Sequence, residues 1–292
     1  MLVWTVSNQK GGVGKTTSTV SLAGIAAEAG RRVLLIDLDP HGSLTSYFRL
    51  DPDTQLNSVH TLFQERKTLS RMIIEDIIYE TKYQNIHLLP ASTALATLER
   101  QGIGDGMGLV LSKVLSLIAD DYDQVMIDCP PQLGVLMVNA LAACDDLIIP
   151  VQTEFLALKG LDRILHTLKM LSKSRKKALP YLVVPTMFDR RTQASVSSLR
   201  VIRNDYGDHA WPGKIPVDTK FRDASKAGVP PNLFEKDARG VAAYRSLYQF
   251  MMQRDKQVAS SRDEGPGREQ EHKQPRQRQP GQGKNQEQGA PL

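Results

Sequence analysis

The residues of this chain whose types and spacing could do chemistry gather near its N-terminus, with one carboxylate farther on. The segment Ser7-Asn8-Gln9-Lys10-Gly11-Gly12-Val13-Gly14-Lys15-Thr16-Thr17 sets three glycines among two lysines and two threonines. Glycines let a backbone curl until the N–H groups of Gly11, Gly12, Val13 and Gly14 converge on an anion. A helix starting directly afterwards, through Lys15, Thr16 and Thr17, adds its positive end. Lys15 supplies a point charge for β- and γ-phosphates, and the Thr16 hydroxyl suits Mg²⁺. A nucleoside triphosphate is the ligand this combination fits. Asp37-Leu38-Asp39-Pro40 follows, with Asp39 lying 24 residues after Lys15, and Asp128 closes the apolar run Val125-Met126-Ile127. Phosphoryl transfer to water needs a held metal and a group that places the nucleophile. Asp37, Asp39 and Asp128 are the candidates for these two tasks, and a carboxylate placed as Asp128 is can hold Mg²⁺ through water. Gly12-Val13-Gly14 also resembles a dinucleotide-binding start. There, however, the third glycine position is Thr17, and Lys15-Thr16 has no work beside a pyrophosphate.

These residues need elements that bring loop ends together. Short runs at Leu2–Val6, Val33–Ile36, Ile86–Leu89, Gln124–Ile127, Leu147–Val151 and Tyr181–Val184 are apolar nearly throughout, the pattern of strands buried on both faces of a parallel sheet. Lys214–Pro216 is a weaker seventh strand. Helical stretches at Lys15–Ala29, Leu133–Ala143, Leu156–Ser172, Ala194–Asp205 and Ala238–Met251 alternate with them. The alternation predicts a doubly wound α/β domain over residues 1–252, with its ligand beyond the strand C-termini. The region from about 43 to 110 is less regular and is expected to decorate the sheet.

From Gln253 to Leu292 there is no Phe, Trp or Tyr, and nine residues are Gln. So polar a segment buries too little apolar surface to offset the entropy of ordering, which predicts a disordered tail, either inert or partner-binding. The whole chain of 292 residues carries 37 Lys+Arg against 32 Asp+Glu, a net +5 that suits an anionic partner without defining one. No apolar run reaches the roughly 18 residues of a membrane span, and Met1–Lys10 lacks the pattern of a cleaved leader. Two cysteines, Cys129 and Cys144, make neither a disulfide framework nor a four-ligand zinc site. A cytoplasmic protein is expected.

KGGVGKTT, with Gln9 where an ordinary phosphate loop has its first glycine and with the extra Lys10, resembles the deviant Walker A motif of the ParA/MinD ATPases. The resemblance covers essentially residues 1–252. It implies ATP and Mg²⁺ as cofactors and a homodimer with ATP sandwiched between two copies, Lys10 reaching the partner's nucleotide. By the same resemblance, Asp37 and Asp39 belong to a first switch, with Asp39 orienting or activating the water and both helping to hold the metal. It likewise makes Asp128 the Walker B carboxylate, assigns catalysis to Lys10, Lys15 and Asp39, and places Pro130-Pro131 in a second switch. Val184–Met187 and Ile215–Asp218, including Pro216 and Asp218, would frame the adenine and ribose. Relatives that carry iron–sulfur clusters need paired cysteines, and Cys129 and Cys144 lack that spacing. MinD-like relatives end in a membrane-seeking helix. Here Val241, Tyr244, Leu247, Tyr248 and Met251 form a core-facing stripe, so no membrane partner is expected.

DLDPHGSLTSYF, PVQTEFLALKGL, FDRRTQAS and IPVDTKFRDAS resemble a narrower branch, the ParC-type ATPases that place chemotaxis arrays at a cell pole. That branch implies a polar landmark protein and a chemotaxis-array adaptor as partners. The alternative is chromosome or plasmid partition, with a centromere-binding protein and nonspecific DNA. Arg190, Arg191, Arg200 and Arg203, together with Lys220 and Arg222, are the candidates for phosphate contact with DNA. A third use of the fold, a metabolic ligase of the dethiobiotin synthetase kind, would want a small-acid pocket and would not need Lys10.

Overall fold

Strands that are apolar on both sides are stable only where both faces are covered, and the chain meets that demand with one central sheet. The computed structural model describes residues 1–101, 106–172 and 178–263. Its strands are β1 (Leu2–Val6), β2 (Val33–Asp37), β3 (Tyr79–Glu80), β4 (Ile86–Leu89), β5 (Gln124–Asp128), β6 (Asp146–Gln152) and β7 (Tyr181–Thr186). They pair in the order β3-β4-β2-β5-β1-β6-β7. Every pairing is parallel except that of β3 with β4. The chain leaves β1, passes over the place later taken by β5, and enters β2. This leaves a crevice at the carboxyl ends of β1, β2 and β5, where an open α/β sheet binds ligands.

Alternate residues of each strand feed two cores. Leu34, Ile36, Val125 and Ile127 pack with the helices α6 (Val110–Leu117) and α7 (Val135–Ala143). Leu35, Trp4, Val6 and Met126 face α1 (Lys15–Glu28) and the C-terminal α12 (Arg239–Asp263), whose Tyr244, Leu247, Tyr248 and Met251 are buried. Trp4 meets Tyr248 edge to face, and the Tyr244 hydroxyl lies 2.8 Å from Ser18 Oγ on α1. The nucleotide-facing helix α1 is thereby clamped from behind. A third cluster joins β6 and β7 to α8 (Phe155–Ser172) and α9 (Gln193–Tyr206). Decorating helices fill residues 43–101: Ser43–Tyr47, Val59–Gln64, Arg71–Ile77 and Leu95–Gln101.

Three expectations need correction. Lys214–Pro216 is not a strand: it forms an isolated bridge, Phe188 with Pro216, because Pro216 has no N–H to extend a ladder. The two-residue β3 has no counterpart among the predicted strands; its residues are exposed and too few to show a period. The chain divides into units Met1–Met252 and Gln253–Leu292, but α12 runs on to Asp263. Residues 253–263 contain no glycine or proline, and the first breakers are Gly265 and Pro266. The rest of the expected tail, 264–292, lies outside the described residues.

A candidate nucleotide-binding site

The loop between β1 and α1 has the shape its glycines allow. Gly12 (φ +73°) and Gly14 (φ +90°) sit in the left-handed region, where a side chain would be strained. Gly14 is the cap residue of α1, which has no side-chain cap and no acid in its first turn. The positive end of the helix is therefore left for an outside anion. Asn8 braces one flank of the loop: its Nδ2 donates to the Pro150 carbonyl (2.8 Å) and its Oδ1 accepts from Lys10 N (2.9 Å). On the other flank Thr186 Oγ1, at the end of β7, donates to the Val13 carbonyl (2.9 Å).

The loop opens on a cavity of about 1140 Å³. Gly11, Gly12, Val13, Gly14, Lys15, Thr16 and Thr17 form its floor, and Asp39, His41 and Pro131 stand along the walls. The far end is made by Met187, Ile215, Pro216, Val217, Asp218, Phe221 and Tyr244, apolar enough to receive a flat ring. Pro216 and Asp218 thus line the same cavity as the loop. The Asp218 carboxylate is already held there, accepting from Lys220 N and Gly240 N (both 3.0 Å).

The three aspartates stand in different surroundings. Asp37 and Asp128 are register neighbours at the ends of β2 and β5, both fully buried. Asp128 Oδ2 accepts from Thr16 Oγ1 at 2.6 Å, and Oδ1 from Thr19 Oγ1 at 3.4 Å. Burial first, then repulsion from Asp37, pushes the Asp128 carboxyl up to about 8, against the opposing pull of the Thr16 hydrogen bond and Lys15. Asp37 is pushed up to about 7, again chiefly by burial. Its Oδ2 accepts from both N and Oγ1 of Thr45 (2.8 and 2.7 Å), and its Oδ1 from Asp39 N (3.1 Å). Neither Asp37 nor Asp128 lines the cavity itself: Asp128 is joined to its lining through Thr16, whereas the Asp37 oxygens are taken up by Thr45 and by the backbone N–H of Asp39. Asp39 does line it, with Oδ1 accepting from His41 N at 3.0 Å and lying 2.8 Å from His41 Nδ1.

Lys15 Nζ makes one long contact, 3.4 Å to the Lys10 carbonyl. Lys10 is not part of the cavity wall, and its Nζ pairs with Glu154, just before α8. Cys129 and Cys144 are free and buried, and the Cys129 thiol is pushed well above its ordinary range by burial and by Asp128. It is a packing residue.

Thr16 Oγ1 and Asp128 Oδ2 converge beside Lys15, and the donors are all oxygen, the chemistry a hard cation such as Mg²⁺ prefers. Among the described residues no three His, Cys, Asp or Glu side chains form a metal cage. A cation here would share its coordination with ligand phosphates and water, as Mg²⁺ does at nucleotide sites.

Comparisons with known proteins agree with this geometry. The family described as AAA domain matches residues 1–181. Sporulation initiation inhibitor protein Soj of Bacillus subtilis is 34% identical over 244 residues, spanning 83% of this chain and 94% of Soj. The chain belongs to the ParA/Soj family of P-loop ATPases. Another family member, the chromosome-partitioning ATPase Soj of Treponema pallidum, is 34% identical over 253 residues, 86% of this chain and 96% of that one. Among solved structures, one described as cobyrinic acid a,c-diamide synthase from Mycobacterium smegmatis, with bound ADP and magnesium, superposes with a TM-score of 0.73 at 33% identity. It covers 87% of this chain and 95% of its own.

For this ParA/Soj-family chain, sequence reasoning missed the contacts of Glu154 with Lys10, of Thr186 with the phosphate loop and of His41 with Asp39. His41 was legible two residues after Asp39. Glu154 and Thr186 meet the loop from 144 and 173 residues away, and no local pattern announces them.

Proposed function

We propose that this chain is an ATP-dependent dimerisation switch that hydrolyses ATP slowly and so positions and partitions a cellular cargo. The observation that carries this is the convergence on one cavity of the phosphate loop, Lys15, Thr16 and Asp39, with Asp128 hydrogen-bonded to Thr16 behind the lining. In this proposal the N–H groups of Gly11 to Thr17 and Lys15 bind the phosphates of ATP, and Thr16 and Asp128 hold Mg²⁺. The ion, when bound, neutralises charge on the phosphates. Asp39 orients the attacking water, with its carboxylate set by His41, and Asp37, itself held by Thr45, fixes the Asp39 segment by accepting from Asp39 N. Pro216 and Asp218 stand beside the base and ribose.

Lys10 acts in trans. A lysine inside the loop but outside its own cavity wall is free to reach a partner's nucleotide once it leaves Glu154. Lys10→Ala is expected to bind ATP within about threefold of wild type, since the loop N–H groups and Lys15 remain. It should yield few ATP-dependent dimers by light scattering, and an unchanged dimer yield would remove the trans role.

For the cargo we propose chemotaxis arrays at a cell pole, reached through a landmark protein and an array adaptor. The reading is supported by the four segments that resemble the ParC-type branch. It is also supported by the state of two residues expected to contact DNA phosphate. Arg191 is tied to Asp189 in a bidentate pair, Nε to Oδ1 and Nη2 to Oδ2, and Lys220 lies 3.9 Å from Glu235. The Soj of Treponema pallidum, described as chromosome-partitioning, favours the second reading, with nonspecific DNA and a centromere-binding protein as partners. Asp39→Ala decides between them, because it should bind ATP, stop hydrolysing and accumulate as dimer. A fluorescent fusion of the wild type is expected at poles with chemoreceptor clusters, and the variant's foci should scatter. Signal locked over the nucleoid in the variant would instead establish DNA partition. A synthetase reading predicts ATP consumption only with an organic acid present, so turnover by the protein alone excludes it.

A further inference from the structure

We propose that Thr186 is a positioning residue of the phosphate loop, holding the Val13–Gly14 peptide in its anion-binding orientation. The inference rests on the nucleotide-binding reading of the cavity and extends it to a residue 173 positions from the loop.

A loop that turns its N–H groups toward an anion must turn carbonyls the other way, and those carbonyls need partners of their own. Val13 is fully buried, and its carbonyl accepts from Thr186 Oγ1 at 2.9 Å. A trans peptide holds C=O and N–H on opposite sides, so fixing the Val13 carbonyl fixes where the Gly14 N–H points. Something must fix it. Gly14 at φ +90° has no Cβ to block rotation of that peptide, and an added Cβ would meet nothing within 4 Å. The freedom that lets the loop form would equally let it flip. The hydroxyl of Thr186, a residue 2% exposed, is the restraint.

The corner that carries Thr186 is itself over-determined. Its carbonyl accepts from Thr153 N at 3.0 Å, and Thr153 Oγ1 lies 2.5 Å from Ser195 Oγ on α9. The next residue, Met187, is one of three non-glycine residues described at positive φ, at +52°, and it lines the cavity. Backbone strain of this kind persists only where the surroundings enforce it. Here the enforcement comes from Phe188 N donating to the Ile215 carbonyl (3.0 Å) and Val217 N to the Phe188 carbonyl (3.1 Å). The end of β7 is thereby a fixed post against which the loop is set.

The test compares Thr186→Val, which keeps the shape and removes the hydroxyl, with Thr186→Ser, which keeps the hydroxyl, in the full chain. Calorimetric titration should show the valine variant binding ATP and ADP about tenfold more weakly, the size of one lost buried hydrogen bond. The serine variant should stay within about twofold of wild type. Turnover at saturating ATP should change little in either, because ground state and transition state lose the same contact. A valine variant with wild-type affinity overturns the proposal, as does a serine variant as weak as valine, which would make the methyl group's packing the cause. Should the valine variant not fold, Thr186→Ala against Thr186→Ser carries the same test, and equal affinities of those two overturn it. Failure of the wild type to bind either nucleotide would sink the site reading itself and is seen separately.

Discussion

Lys15→Ala is expected to lose ATP and ADP binding by at least about a hundredfold while melting, without nucleotide, within about two degrees of wild type. The affinity loss follows from the charge-assisted contact of an ammonium with phosphate, worth roughly 1.5–3 kcal/mol each. Lys15 stands in the floor of the cavity, from where its ammonium would contact more than one oxygen of a bound phosphate chain. The small stability effect follows from what Lys15 does in the free protein. Its Nζ makes a single long contact, 3.4 Å to the Lys10 carbonyl, so truncation breaks no short bond and opens no buried cavity. The two readouts separate binding from folding. Undiminished affinity would remove Lys15 from phosphate recognition, and a large drop in melting temperature would make it a structural residue.

The parts of this fold that were legible in the sequence are those whose cause is local. β1, β2, β4 and β5 are buried on both faces, so their apolar runs end within a residue of the observed bounds. The phosphate loop was legible for the same reason, since glycines at +73° and +90° are demanded by the turn itself. Asp37 and Asp39 show where locality stops. They are two positions apart at the end of one strand and look equivalent as letters. In the structure one is sealed by Thr45 from the following helix, and the other faces the cavity. Which carboxylate reaches a ligand depends on how the chain folds back, and the spacing of the pair does not contain that. Glu154 and Thr186 belong to the same class, since β6 and β7 bring them to the loop from far along the chain. The end of α12 misled for another reason: low aromatic content speaks against a packed core but does not forbid a helix to continue.

The site therefore joins two kinds of restraint. Local geometry makes the loop able to bind phosphate, and long-range hydrogen bonds choose that conformation from those that glycine allows. The same division bears on stability, because the groups drawn together for the ligand are poorly matched to each other without it. Asp37 and Asp128 stand side by side at the buried ends of β2 and β5, and the Lys15 charge offsets only part of what burial and mutual repulsion cost Asp128. Sites that assemble like charges ahead of a ligand carry a cost in the free protein.

That cost gives Asp128→Asn a pair of opposed effects. The variant is expected to melt several degrees higher than wild type without nucleotide at pH 8, and to lose the gain in ATP affinity that Mg²⁺ confers on the wild type. The sign follows from linkage. Burial and Asp37 raise the folded-state value of Asp128 to about 8, from 3.8 in the unfolded chain, so between those values the folded state holds more protons. Stability contributed by the protonated form is complete below about pH 4 and declines toward pH 8, at up to about 1.4 kcal/mol per pH unit. Asparagine has no such titration. It keeps the shape of the side chain and can still pair with the hydroxyls of Thr16 and Thr19, which either donate or accept. Melting temperature followed from pH 5 to pH 8 should therefore fall less steeply in the variant. Some slope should remain, because Asp37 is also raised, chiefly by its own burial. A variant that melts below wild type at pH 8 would show that Asp128 is charged and well matched in the free protein, and the strained pair at the heart of the site would have to be abandoned.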